Sequence, residues 1–378
     1  MSLDFAPLGA FLDSLIDRGI PGADAIVMRG HEALYRHQAG WKNREAGEKM
    51  RGDELYFMYS CSKPVTVTAA VQQLAKGRFL LNDPLYEYLP EYRDMLVKDA
   101  DGNLLKAKKP ILVKHLFSMT AGFNYDLNSP SLTAMKAETQ GRCPTREVAR
   151  AIAKEPLSFE PGAHWQYSLC HDVLAALVEV VSGERFADYV KAHIFDPLGM
   201  SRSAFHMTPG TESQFAAQYR YSDEKRVAEP IPLGAVHILG PEHDSGGAGI
   251  ISCVDDYAKF VDAMACGGVG QTGERILSRA AIDRMRETQR GETQLRDFNW
   301  SQLAGDGYGL GVRTVIDRAA GGVMSPVGEF GWGGAAGAYV MIDPENRLAV
   351  FYAQHMLNNM EPYVHPRIRN IVYGIIGE

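Results

Sequence analysis

Apolar residues at Leu8, Phe11, Leu12, Leu15 and Ile16 fall on one face of a 3.6-residue repeat, so the chain opens with an amphipathic helix. Two short apolar runs follow, Ala25–Met28 and Ala33–His37. They flank the turn Arg29-Gly30-His31-Glu32 and predict a pair of strands. The same pattern returns at the far end, where Ala338–Asp343 and Leu348–Ala353 flank Asp343-Pro344-Glu345-Asn346. From Pro366 to Ile376 the period is helical again, with Pro366 suited to a first turn. The middle of the chain is mostly helical in pattern: Val65–Lys76, Thr145–Lys154, His171–Ser182, Phe186–His193, Asp255–Cys266 and Ser278–Thr288. This distribution predicts an α/β domain built from both termini and an all-α region inserted between them. The expected boundaries are 1–58 with 300–378 for the discontinuous sheet domain, and 59–299 for the mainly helical one.

The stretch Tyr59-Ser60-Cys61-Ser62-Lys63-Pro64 opens one of these helices. Residues at i and i+3 share a helix face, so the Ser60 hydroxyl and the Lys63 amine can meet. A serine hydroxyl is a weak nucleophile until a base takes its proton. A lysine takes it only in its neutral form, which burial favours. Free N–H groups and a partial positive charge at the helix start favour a developing oxyanion. Cys61 lies next to Ser60 but is two positions from Lys63, so its side chain is expected to point away. Ser-x-x-Lys alone is a weak signal and needs its structural context.

Further segments supply that context. Phe159-Glu160-Pro161-Gly162 leads into Tyr167-Ser168-Leu169, and Gly331-Trp332-Gly333-Gly334-Ala335 lies near the C-terminus. The segments Lys114–Gly122, Phe195–Met200 and Gly246–Gly249 complete a series spread over most of the chain. In order and spacing the series resembles the serine β-lactamase/penicillin-binding-protein-like superfamily, with Ser-x-x-Lys, Tyr-x-Asn and Lys-Thr-Gly or a variant. The resemblance is greatest to class C β-lactamases and family VIII esterases, Trp-Gly-Gly being the esterase-like third motif. It implies an antiparallel sheet flanked by the terminal helices, with the active site where sheet and helical domain meet. It also implies Ser60 as nucleophile, Lys63 as base and Tyr167 as a second proton-transfer group. The backbone N–H groups of Ser60 and Ala335 would form the oxyanion hole. Trp332, Gly333, Gly334, Leu169, Gln354 and His355 are expected to bind substrate.

Two departures from the lactamase pattern change the expected substrate. Trp332 stands where the family has a lysine that helps hold a carboxylate, and Leu169 where it has an amide-bearing asparagine. Both favour neutral, apolar acyl groups and point to a carboxylesterase acting on small to medium esters through an acyl-serine. Arg367 could replace the lost cation. The alternatives left open are a β-lactamase, D,D-peptidase or D-amino-acid amidase, and, in a different class, a non-catalytic protein binding peptides or cell-wall fragments.

Composition narrows the rest. The 378 residues carry a net charge of −7, which argues against nucleic acid as partner. Lys106, Lys108 and Lys109 read as a solvated loop. No apolar run approaches the ~20 residues needed to cross a bilayer. No basic segment precedes an apolar core at the N-terminus, so the expected location is cytoplasmic. The five cysteines are odd in number, lack metal-type spacing and read as buried free thiols in a reducing compartment. Glu242-His243-Asp244 lacks the geometry of hydrolytic zinc sites and reads as a polar loop. No metal or organic cofactor is expected, the partner is a small-molecule ester or amide, and oligomeric state is open.

Overall fold

The computed structural model describes residues 3–289 and 291–377. Its centre is an eight-stranded sheet. In spatial order the strands are Asp306–Tyr308, Arg313–Val315, Phe330–Gly331, Tyr339–Asp343, Leu348–Ala353, Gly22–Arg29, Glu32–Asn43 and Glu48–Lys49. Every pairing is antiparallel. The two chain ends join at its middle, where Ile26 faces Phe351 and Ala25 faces Tyr352.

The apolar run in Gly22–Arg29 has its cause in this central position. Successive side chains leave a strand on opposite faces. Ala25 and Val27 join Leu348, Val350 and Tyr352 beneath the helices Ala6–Asp17 and Glu361–Ile376. Ile26 and Met28 join Ala349 and Phe351 on the other face, with the helix Val254–Ala265. There Tyr257 stacks on Phe351, ring centroids 4.3 Å apart. The hairpin between the first two strands turns at Gly30 and His31, both at positive φ (60° and 77°), a two-residue turn matched to strand twist.

The helices of the middle segment form as their periodicity predicts, with ends moved by a few residues. Thr145–Ile152, Cys170–Ser182, Val254–Ala265 and Arg279–Arg286 are observed, the last capped by the Ser278 hydroxyl. Three expectations change. Pro366 lies inside the last helix, which begins a turn earlier at Glu361-Pro362. Phe186–Val190 passes into a wider π turn at Lys191–Phe195. Lys106 belongs to a small hairpin, Leu96–Lys98 with Leu104–Lys106, and pairs with Asp94 at 2.7 Å.

Candidate active site

The strand Tyr56–Phe57 pairs with Ile251–Ser252 and delivers the chain directly to Ser60. The α-helix starts at Ser62, later than expected, so Ser60 occupies a 3₁₀ turn, Tyr59–Cys61, ahead of it. Tyr59 has φ 47°, a left-handed conformation rarely taken by a bulky residue. Its buried hydroxyl is held by the Gln218 amide and donates to the Gly234 carbonyl at 3.3 Å, which fixes the bend that presents Ser60.

Two side chains converge on the Ser60 oxygen, and a third supports one of them. Lys63 Nζ donates to Oγ at 3.1 Å and to the Gly247 carbonyl at 2.8 Å, and is fully buried. The Tyr167 hydroxyl donates to Oγ at 2.5 Å. Trp332 Nε1 donates to that phenol at 3.4 Å. The Tyr167 ring lies between Tyr125 and Trp332, with centroids 5.4 and 5.8 Å away. Lys63 Nζ sits 4.5 Å from the centre of the Tyr167 ring, a cation–π distance. The arrangement can activate a hydroxyl, and an amine and a phenol stand ready to move its proton.

Behind Lys63 is a buried carboxylate, Asp172, on the first turn of Cys170–Ser182. Ser245 Oγ donates to it at 2.6 Å, and His243 Nε2 makes a longer contact at 3.4 Å. Burial alone would raise this carboxyl. The His243 and Ser245 contacts and the Lys63 charge outweigh burial and hold it below the usual carboxylate range. The Gly246–Gly249 segment threads between the helices: a Cβ at Gly247 would stand 2.7 Å from Asp172 Oδ2, so only glycine brings its carbonyl to Lys63.

The Ser60 hydroxyl opens into a cavity of about 190 Å³. Trp332, Gly333, Gly334 and Ala335 line one side of it, and Trp300, Gln302 and Glu361 contribute to the rest. Among the described residues, neither Ser60 N–H nor Ala335 N–H has a protein acceptor. Ala335 is exposed to the cavity and its carbonyl is held by Asn359 Nδ2 at 2.8 Å. Arg313 and Arg369 reach the cavity wall but are engaged below it. Arg313 pairs with Glu329 at 2.7 Å, Arg369 with Asp306 at 3.4 Å, and both donate to the Tyr339 hydroxyl.

Three expected pocket residues lie elsewhere. Leu169 is buried by the core and lines a separate small hollow with Phe123 and Leu132, where an apolar side chain gains most. Gln354 is buried under the sheet end, its amide oxygen accepting from the Tyr352 hydroxyl at 2.6 Å. His355 is buried too. Its Nδ1–H donates to the Ala216 carbonyl at 2.8 Å, and burial lowers its pKa to about 4. Arg367 is exposed and stacks on Tyr363, so it does not serve the cavity. Glu242-His243-Asp244 is no simple surface loop: Asp244 is buried and paired with Arg185 at 2.6 Å. Cys61 is buried against Gly334, and burial pushes its thiol far up.

Among the described residues, one trio has metal-ligand proximity: His31, Asp262 and Cys266, whose donor atoms lie within 4.8 Å of one another. It does not line the Ser60 cavity. A sequence separation of 231 residues between His31 and Asp262 hid it from motif spacing.

A family model described as Beta-lactamase matches residues 6–372. The chain belongs to the beta-lactamase family. It is a serine hydrolase of that family. Esterase EstB of Burkholderia gladioli is 32% identical over 377 residues, covering 92% of this chain and 91% of that protein. Among solved structures, EstCE1, described as a hydrolase with promiscuous acyltransferase activity, is 26% identical with a TM-score of 0.80 and 98% of both chains covered. Simvastatin synthase (LovD) from Aspergillus terreus superposes with a TM-score of 0.82 at 20% identity, again over 98% of both chains, and shares the fold. No helix among the described residues is long and apolar enough to cross a membrane.

Motif reading missed Tyr125, Asp172, Trp300, Gln302 and Glu361. Asp172 lay within reach, because it falls one helical turn past Tyr167-Ser168-Leu169. Gln302 and Glu361 carry no local signal; the last helix and a short turn bring them to the cavity.

Proposed function

We propose that this beta-lactamase-family hydrolase is a carboxylesterase acting on small to medium esters. Ser60 Oγ attacks the ester carbonyl while Lys63 takes its proton. The N–H groups of Ser60 and Ala335 hold the oxyanion. The C–O bond to the alcohol breaks as Tyr167 delivers a proton to the departing alkoxide, and Lys63 returns a proton to Tyr167. Water then adds to the acyl-serine and releases the acid.

The observation that carries this reading is Trp332. It puts an aromatic face and one N–H beside Tyr167, in the place where the lactamase pattern has a lysine. The guanidiniums that line the cavity, Arg313 and Arg369, are already matched by Glu329 and Asp306, so neither is free to hold a substrate carboxylate. The esterase relative supports the same reaction class. Five unpaired cysteines fit a reducing, cytoplasmic setting.

The test is a panel of phenyl esters, a chromogenic cephalosporin and a D-amino-acid amide, assayed with wild type and Ser60→Ala side by side. The expected result is ester hydrolysis that vanishes in Ser60→Ala. Strong cephalosporin turnover without ester cleavage would overturn the assignment. If neither a fluorophosphonate nor a β-lactam probe labels Ser60, the chain is a binding protein instead.

A further inference from the structure

The cavity beside Ser60 is not electrically neutral. Its two guanidiniums, Arg313 and Arg369, are each bonded to carboxylates beneath the wall, Glu329 and Asp306. His365 also lines the cavity, and burial depresses its imidazole to about 3, so it adds no positive charge. That leaves Glu361. Glu361 lines the same cavity, and its carboxylate accepts a hydrogen bond from the Gln302 amide and is also met by the Asn359 side chain. Its own backbone N–H donates to Asn359 Oδ1 at 2.7 Å, and Asn359 in turn holds the Ala335 carbonyl. Among the described residues no lysine, arginine or histidine lies within ion-pair distance of Glu361. Burial raises this carboxyl above its ordinary value, a cost that an incoming cation would offset.

A second feature points the same way. The cavity is walled by aromatic rings: Trp300, Trp332, Tyr167 and Tyr339. Trp300 stands 5.4 Å from Tyr167 and 6.2 Å from Trp332, and it remains 37% exposed at the cavity lip. Indole and phenol faces attract cations, most strongly where water is excluded. Among the described residues this carboxylate meets amides and no cation, and a carboxylate so placed beside an aromatic-walled cavity suits ammonium recognition.

Resting on the esterase reading, we infer that the preferred substrates are esters carrying a cationic nitrogen, a protonated amine or a quaternary ammonium. Glu361 is the counter-charge and Trp300 with Trp332 the aromatic wall. Glu361 is a specificity residue here; the bond-breaking steps remain with Ser60, Lys63 and Tyr167.

Two isosteric pairs test this. Phenyl β-alaninate against phenyl butanoate places the charge in the acyl half. Butyrylcholine against 3,3-dimethylbutyl butanoate places it in the alcohol half. The readout is the ratio of kcat/KM, charged over neutral, in wild type, Glu361→Gln and Trp300→Leu, with active sites counted by fluorophosphonate titration. In at least one pair the ratio should exceed one in wild type and fall about tenfold or more in Glu361→Gln, as expected for a charged hydrogen-bond partner lost. A smaller fall is expected in Trp300→Leu. Turnover of the neutral esters with ratios unmoved by Glu361→Gln in both pairs would sink the cation subsite and leave the esterase reading standing. No Ser60-dependent turnover of any of the four would sink both.

Discussion

The proposed oxyanion hole can be tested through Gly334, even though a backbone donor cannot be deleted by mutation. In Gly334→Ala the new methyl would lie 2.5 Å from the Met58 carbonyl oxygen, roughly 0.9 Å short of ordinary contact at 3.4 Å. Met58 cannot yield easily. Its N–H is bonded to the Ile250 carbonyl at 2.9 Å, and its carbonyl accepts from Cys61 N–H at 3.1 Å, next to the nucleophile. The segment Gly333–Ala335 therefore moves outward and takes the Ala335 N–H with it. A shift of about 0.9 Å lengthens a hydrogen bond near 2.9 Å past the range where it contributes. Losing one oxyanion donor costs about 3 kcal/mol, so kcat on phenyl butanoate should fall about 100- to 1000-fold. The assay normalises rate to sites titrated with a fluorophosphonate and follows the thermal midpoint in parallel. A kcat within threefold of wild type, in a variant whose methyl is seated without disturbing Cys61, would refute the assigned role of Ala335.

Two further outcomes are expected. Tyr167→Phe removes the phenol that bonds Ser60 at 2.5 Å but keeps the ring stack, so kcat/KM should drop about 10²- to 10⁴-fold with little loss of stability; a drop below fivefold would move proton delivery to another group. Buried His115 and His355 are depressed by burial to about 4, and His171 and His365 to about 3, against 6.5 in an open chain. Below 6.5 the unfolded chain binds protons the folded one refuses, so stability is complete above that pH and falls as pH drops toward the folded values, by about 2 kcal/mol per histidine at pH 5. Thermal midpoints measured from pH 7.5 to 5 should decline steeply, and a flat profile would contradict it.

How far the sequence reveals this fold depends on element length. The four longest strands announce themselves because each is five or more residues of apolar or alternating pattern, and the two chain ends pair centrally. Asp306–Tyr308, Arg313–Val315 and Phe330–Gly331 are two or three residues long, set among glycines, and carry too few positions to show a period. Pro366 misled because a proline reads as a helix start, although Pro362 already occupies that role a turn earlier.

The site divides along the same line between local and distant information. Ser60 and Lys63 are visible because one helical turn joins them, and Tyr167 only because a family motif marks it. The third position of the Tyr-x-Asn motif points Leu169 toward the pocket, but the start of the Cys170–Ser182 helix turns it into the core. For Gln354 and His355 the sequence offers only adjacency to a strand, which does not say which way a residue points once the strand has ended. The apolar pocket inferred from Trp332 and Leu169 was therefore half a description. Its electrostatics belong to Glu361, Gln302 and the guanidiniums of Arg313 and Arg369, which arrive from three separate segments, Glu361 and Arg369 sharing the last helix. A substitution inside a motif reports which partner was lost; only the assembled cavity reports which charge remains for a substrate to meet.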